Sequence, residues 1–126
     1  MRKLVLALLL VSMPAWALFP LLEDTAAQYV YVRLFDSADH LTPKTGVTGP
    51  TITISKNGGS LGAIHDGTWA ELAGGAYTVK LDDTDTSTAG PVLIRIVAAG
   101  CDDAFILCYV RTKTEAQIYT DMATST

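Results

Sequence analysis

The sequence predicts an antiparallel β-sandwich of about seven strands, on three observations. From Gln28 onward the apolar residues recur at a spacing of two, the period of half-buried strands, rather than 3.6. Turn residues interrupt that alternation at roughly the 8–12-residue spacing of a sandwich. No stretch of the body combines a helical period with helix caps. A small barrel is the alternative that the same pattern allows.

The elements follow in order. Gln28–Asp36 alternates Val30, Val32 and Leu34 with Tyr29, Tyr31, Arg33 and Phe35. Thr51–Lys56 sets Ile52 and Ile54 inward, and Asn57-Gly58-Gly59-Ser60 then turns the chain, since Asn and Gly tolerate positive φ. Ser60–His65 and Thr68–Leu72 are short strands separated by Asp66-Gly67. After Gly74-Gly75, Ala76–Leu81 alternates Tyr77, Val79 and Leu81. In that strand the Tyr77 ring can pack in the core while its hydroxyl bonds loop backbone. Pro91–Ala98 sets Val92, Ile94 and Ile96 on one face, and Phe105–Arg111 is the last clear strand. Pro43, Pro50 and Pro91 fall at strand starts or in loops, where a missing N–H breaks no ladder.

Composition bounds the function. The 126 residues are 49% hydrophobic and 17% charged, with a net charge of −4, enough for one domain. That balance excludes a strongly basic nucleic-acid binder and a disordered chain. Two cysteines are too few for a disulfide-dense scaffold or a four-Cys zinc site.

The first residues differ from the rest. Arg2 and Lys3 precede an apolar run from Leu4 to Met13, and small residues end it at Ala15 and Ala17. This is the pattern of a secretory signal peptide cleaved after Ala17. The run is shorter than the ~20 residues of a membrane span. The rival reading is a retained arm that docks on a partner. The chain therefore divides into a leader or docking arm at 1–27, the sandwich at 28–111 and a polar, Thr-rich arm at 112–126.

Candidate chemistry is sparse. Asp82, Asp83 and Asp85 form the densest charge cluster, but Thr88 and Ile94 stand where a calcium loop needs Gly and Glu. The cluster reads instead as a loop bonding its own backbone. His40 and His65 lack further ligands at zinc spacing, and no Ser sits on a nucleophile elbow. No catalytic, cofactor-binding or metal-binding residue is expected. Cys101 lies in a turn and Cys108 about four residues into the next strand, too far for a bridge unless the chain doubles back. Cys108 alternates with Ile106 and Val110, as a small buried hydrophobe would.

The first strand of the body is apolar on both faces. Its aromatic row, Tyr29, Tyr31 and Phe35, is either an interaction surface or the core side. Together with Leu18, Phe19, Leu21 and Leu22 it forms the candidate partner interface. On this reading, deleting residues 1–22 leaves the sandwich folded and abolishes binding.

Ordered segments then point to a family. They are Tyr31–Asp39, Thr42-Pro43-Lys44-Thr45-Gly46-Val47-Thr48, Ile54-Ser55-Lys56-Asn57-Gly58-Gly59, Glu71-Leu72 with Gly75–Leu81, Asp85-Thr86 with Gly90-Pro91, and Ala98–Asp102. In this order they resemble the small immunoglobulin-like module of tailed-bacteriophage head, neck and tail proteins. The resemblance spans about residues 29–111 and implies an immunoglobulin-like sandwich without enzymatic activity or cofactor. It implies a virion structural protein, such as a capsid decoration or head/tail accessory component. Its partners would be other virion proteins, met in multiple copies, and not nucleic acid. The leader implies the alternative: an exported, periplasmic or cell-surface binding module that meets the membrane only in transit.

Overall fold

The computed structural model describes residues 19–112. The apolar run, the cleavage position after Ala17, Leu18 and nearly all of the C-terminal arm lie outside them. Eight strands stand among the described residues: β1 Phe19–Leu22, β2 Gln28–Arg33, β3 Thr51–Lys56, β4 Gly62–Ala63, β5 Thr68–Ala73, β6 Ala76–Leu81, β7 Gly90–Val97 and β8 Ala104–Arg111. They form a five-stranded sheet in the order β1-β8-β7-β3-β4 and a three-stranded sheet in the order β2-β6-β5. All pairings are antiparallel except that of β1 with β8. A β2-β6-β5 layer against a β8-β7-β3 layer is the strand arrangement of an immunoglobulin-like sandwich.

All seven expected strands are present, Thr51–Lys56 and Ala76–Leu81 with the expected ends and the others with shifted ones. β2 stops at Arg33, not Asp36, because the chain leaves the sheet after the Leu34 amide bonds Gly75 O. The strand expected over 60–65 is regular only at Gly62–Ala63.

The eighth strand corrects the domain division. Phe19–Leu22 is not a free arm but a strand of the sandwich, in register from Phe19 opposite Cys108 to Leu22 opposite Arg111. Two contacts hold it there. Leu21 is only 4% exposed and fills the core between the sheets. The Gln28 side chain accepts from Leu22 N–H and donates to Leu22 O, both at 2.8 Å, clamping the crossing from one sheet to the other.

The core is aliphatic. Val30 and Leu34 of one layer and Ile94, Ile96, Cys108 and Val110 of the other are nearly inaccessible to solvent. Tyr77 is the exception, and it secures the long connection between β2 and β3. Its ring is fully buried and stacks on Trp69 at 4.5 Å. Its hydroxyl donates to Lys44 O at 2.6 Å and accepts from Val47 N–H at 3.1 Å. Trp69 Nε1 donates to Val47 O at 2.9 Å. This is the role expected for Tyr77. Gly75 permits the close approach: its φ is +80°, and a Cβ there would stand 2.8 Å from Pro43 Cβ.

Candidate interaction surface

β8 is apolar at every position from Phe105 to Val110. Strand geometry sends alternate side chains to opposite faces. Ile106, Cys108 and Val110 therefore enter the core, and Phe105, Leu107 and Tyr109 stand outside, 57%, 48% and 41% exposed. The register gives them apolar neighbours. Leu93 lies opposite Leu107, and Pro91 lies opposite Tyr109. On the other side, Pro20 of β1 is in register with Tyr109. Arg95 lies opposite Phe105 and donates from Nη2 to Asp103 Oδ2 at 2.6 Å. The outer face of the five-stranded sheet thus carries an apolar centre with an ion pair at one end. Aromatic residues and Arg are the types enriched at protein interfaces.

The residues that the sequence offers as a partner interface fall in different environments. Leu21 is in the core and is unavailable to a partner. Phe19 is half-buried against the core, with its ring 6.3 Å from that of Tyr31, and Leu22 is half-buried. Tyr29 and Tyr31 are exposed, since Val30 between them takes the core side. Phe35 lies beyond β2, half-buried and bridged to Pro43, so it does not extend the tyrosine row. Leu18 is outside the described residues. The exposed row Phe105, Leu107 and Tyr109 stands outside that expectation. The signal was present: apolar residues on both faces, the feature noted for the strand at Gln28.

The aspartate cluster is structural. Asp85 is 2% exposed and accepts from the backbone N–H groups of His65 at 2.8 Å, Asp66 at 3.1 Å and Asp82 at 3.2 Å. Its oxygens are committed to the loop backbone. Asp82 meets the His65 imidazole at Nδ1. That hydrogen bond raises the His65 pKa above 6.5 and holds Asp82 down at about 2. The raised His65 pKa contributes stability that is present below pH 6.5 and lost as pH rises through the folded value. The lowered Asp82 pKa contributes stability that is present above 3.8 and lost as pH falls toward 2. The pair is thus strongest between about pH 4 and about pH 6.5. The Tm of the protein is expected to fall slightly from pH 6 to pH 8 relative to a His65→Gln variant. The difference should shrink in high salt, because the pair is solvent-screened. Parallel Tm curves for the two proteins would contradict this.

Cys101 and Cys108 are both free and buried. Burial raises both thiol pKa values, that of Cys108 to about 12, so neither is a ready nucleophile. Among the described residues no pocket opens, and no group of three His, Cys, Asp or Glu is placed to hold a metal ion.

No family model matches the chain, and no curated relative does. Among solved structures, titin domain M7 is similar at 17% identity over 75% of this chain and 83% of that one, with a TM-score of 0.40. The Ig-like domain of human Leucine-rich repeat-containing protein 4 is similar at 11% identity over 75% of this chain and 84% of that one, with a TM-score of 0.27. Neither links the chain to bacteriophage particles. The fold assignment rests on the strand order.

Proposed function

We propose that the chain is a non-enzymatic protein-interaction module that docks through the outer face of its five-stranded sheet. The observation that carries this is the exposed row Phe105, Leu107 and Tyr109, continued by Leu93, Pro91 and Pro20. Apolar surface of this kind gains about 25 cal/mol for each Å² removed from water. The face is a sheet without a pocket, which suits another protein surface better than a small ligand. In finer terms we read the chain as a structural component of a tailed-phage virion, on the support of the ordered segments between Tyr31 and Asp102.

One observation favours the exported alternative. β1 begins at Phe19, two residues after Ala17. Cleavage after Ala17 would therefore leave every strand among the described residues intact. The free thiols of Cys101 and Cys108 weigh against it, since unpaired cysteines are uncommon in oxidising compartments.

Intact mass and co-sedimentation test these readings together. A chain that begins at Met1 and sediments with particles supports the virion reading, and one that begins at Leu18 supports export. In either setting Leu107→Glu is expected to abolish partner binding without unfolding the protein. Full binding by that variant would rule out the docking face.

A further inference from the structure

We infer that the outer face of the three-stranded sheet binds an acidic polysaccharide whose carboxylates are separated by neutral sugars. This is a second site, on the other side of the sandwich from the docking face, and it does not rest on that reading. Alternate positions of β2 turn Tyr29, Tyr31 and Arg33 outward, since Val30 takes the core side. The register sets Lys80 beside Tyr29 and Thr78 beside Tyr31. Both tyrosines are about half exposed, and Phe19 braces the Tyr31 ring at a centroid distance of 6.3 Å. The three strands hold a single acid, Glu71. It lies opposite the buried Tyr77 and accepts from Gly46 N–H at 3.0 Å.

The charges select an anionic occupant. Lys44 pairs with Asp36, Lys56 bonds Thr84 O and Ser87, Arg95 pairs with Asp103, and Arg111 is also engaged. Among the described residues, only the side chains of Arg33 and Lys80 are Lys or Arg groups without a hydrogen bond or ion pair. On a chain of net charge −4, both uncommitted cations stand on this one face. Lys80 is beside Tyr29, and Arg33 is four residues further along β2, about 14 Å away at about 3.4 Å per residue. The cations thus bracket the tyrosines. A ligand that satisfies both carries negative groups at that spacing, with neutral groups over the rings between them.

Size and shape select a polysaccharide. Three strands of six residues, at about 4.8 Å and about 3.4 Å spacing, give a face of about 300 Å². A folded partner there would bury about 600 Å² in total, about half the lower edge of specific interfaces. An extended peptide joins a sheet through the backbone of an edge strand and would leave this face unused. A nucleic-acid strand also stacks on aromatic rings, but it carries a phosphate at every nucleotide, and two cations on an acidic chain neutralise few of them. Sugar rings offer C–H faces to Tyr29 and Tyr31 and hydroxyls to their phenol oxygens. Thr78 Oγ1 donates to Ala70 O at 3.5 Å and keeps its lone pairs for a further sugar hydroxyl. The face has no pocket, so it reads a chain rather than a single sugar.

Affinity electrophoresis of the full chain in gels containing hyaluronate or xanthan tests this, with dextran, poly-L-glutamate and oligothymidylate as comparisons. At least one of the two acidic polysaccharides is expected to retard the protein, and added salt to reduce the retardation. Tyr29→Ala and Arg33→Glu are each expected to weaken binding about 10-fold. Their melting curves should match the parent's, since both side chains are exposed. Leu107→Glu, on the other face, is expected to leave binding unchanged. No retardation by either acidic polysaccharide overturns the inference. So does equal retardation by dextran, which would make the carboxylates irrelevant, or by poly-L-glutamate or oligothymidylate, which would make the sugars irrelevant. Binding indifferent to Tyr29→Ala and Arg33→Glu overturns the site. Binding lost in Leu107→Glu instead assigns the polysaccharide to the five-stranded face.

Discussion

Replacing Tyr77 with alanine is expected to lower the free energy of unfolding by about 3–5 kcal/mol, a large share of a domain's 5–15 kcal/mol. The change deletes a buried ring, its stack with Trp69 and both hydroxyl bonds to the β2–β3 connection. Tyr77→Phe separates these contributions. The ring stays, while Lys44 O and Val47 N–H lose their partner, so a loss of about 1–3 kcal/mol is expected. Urea unfolding followed by Trp69 fluorescence measures both. If Tyr77→Phe matches the parent, the hydroxyl does not hold the loop.

The second large effect is at Asp85. Asp85→Ala leaves the N–H groups of His65, Asp66 and Asp82 without their acceptor. Each buried donor left unsatisfied costs about 1–3 kcal/mol, and loop rearrangement lets water reach some of them. The expected loss is about 3–5 kcal/mol. Asp85→Asn keeps one carbonyl oxygen and should recover part of it. Hydrogen exchange at His65 and Asp66 should accelerate in the alanine variant more than the global loss explains. Unchanged protection there would place the amides on other partners.

The same loop shows what local sequence makes legible. Asp82, Asp83 and Asp85 read as a loop bonding its own backbone; Asp85 does accept from Asp82 N–H, but its other two bonds reach His65 and Asp66 in an earlier loop, which the local sequence does not show. Tyr77 was legible because Gly74-Gly75 marks the turn into its strand and alternation with Val79 and Leu81 sets its face. The strands from Gln28 to Arg111 were legible for the same reason: a period of two is a local property. β1 was not. Four residues with a proline, following an apolar leader, show no period of their own, and their partner Cys108 lies about 90 residues away. That pairing also corrects an expectation. Deleting residues 1–22 removes Leu21 from the core and uncovers the edge of β8, so the sandwich should lose stability. Leu→Ala changes in cores cost about 2–5 kcal/mol, a fair scale for losing Leu21 alone.

The exposed apolar rows were legible in part. Apolar residues on both faces of a strand do mark an exposed row, and Tyr29 and Tyr31 bear this out. Applied to Phe105–Val110, the same rule finds the larger row. Which of two apolar faces goes inward depends on the register of the whole sheet, and no single strand contains that information.

The parallel pairing of β1 with β8 also sets an order on synthesis. The first strand finds its partner only when the last has left the ribosome. At 5–20 residues per second the delay between Phe19 and Cys108 is roughly 5–20 s. Throughout that interval Phe19 and Leu21 have no core to enter, and the open edge where β1 belongs invites other strands. A nascent chain with these properties is a natural client for a chaperone that holds exposed apolar segments.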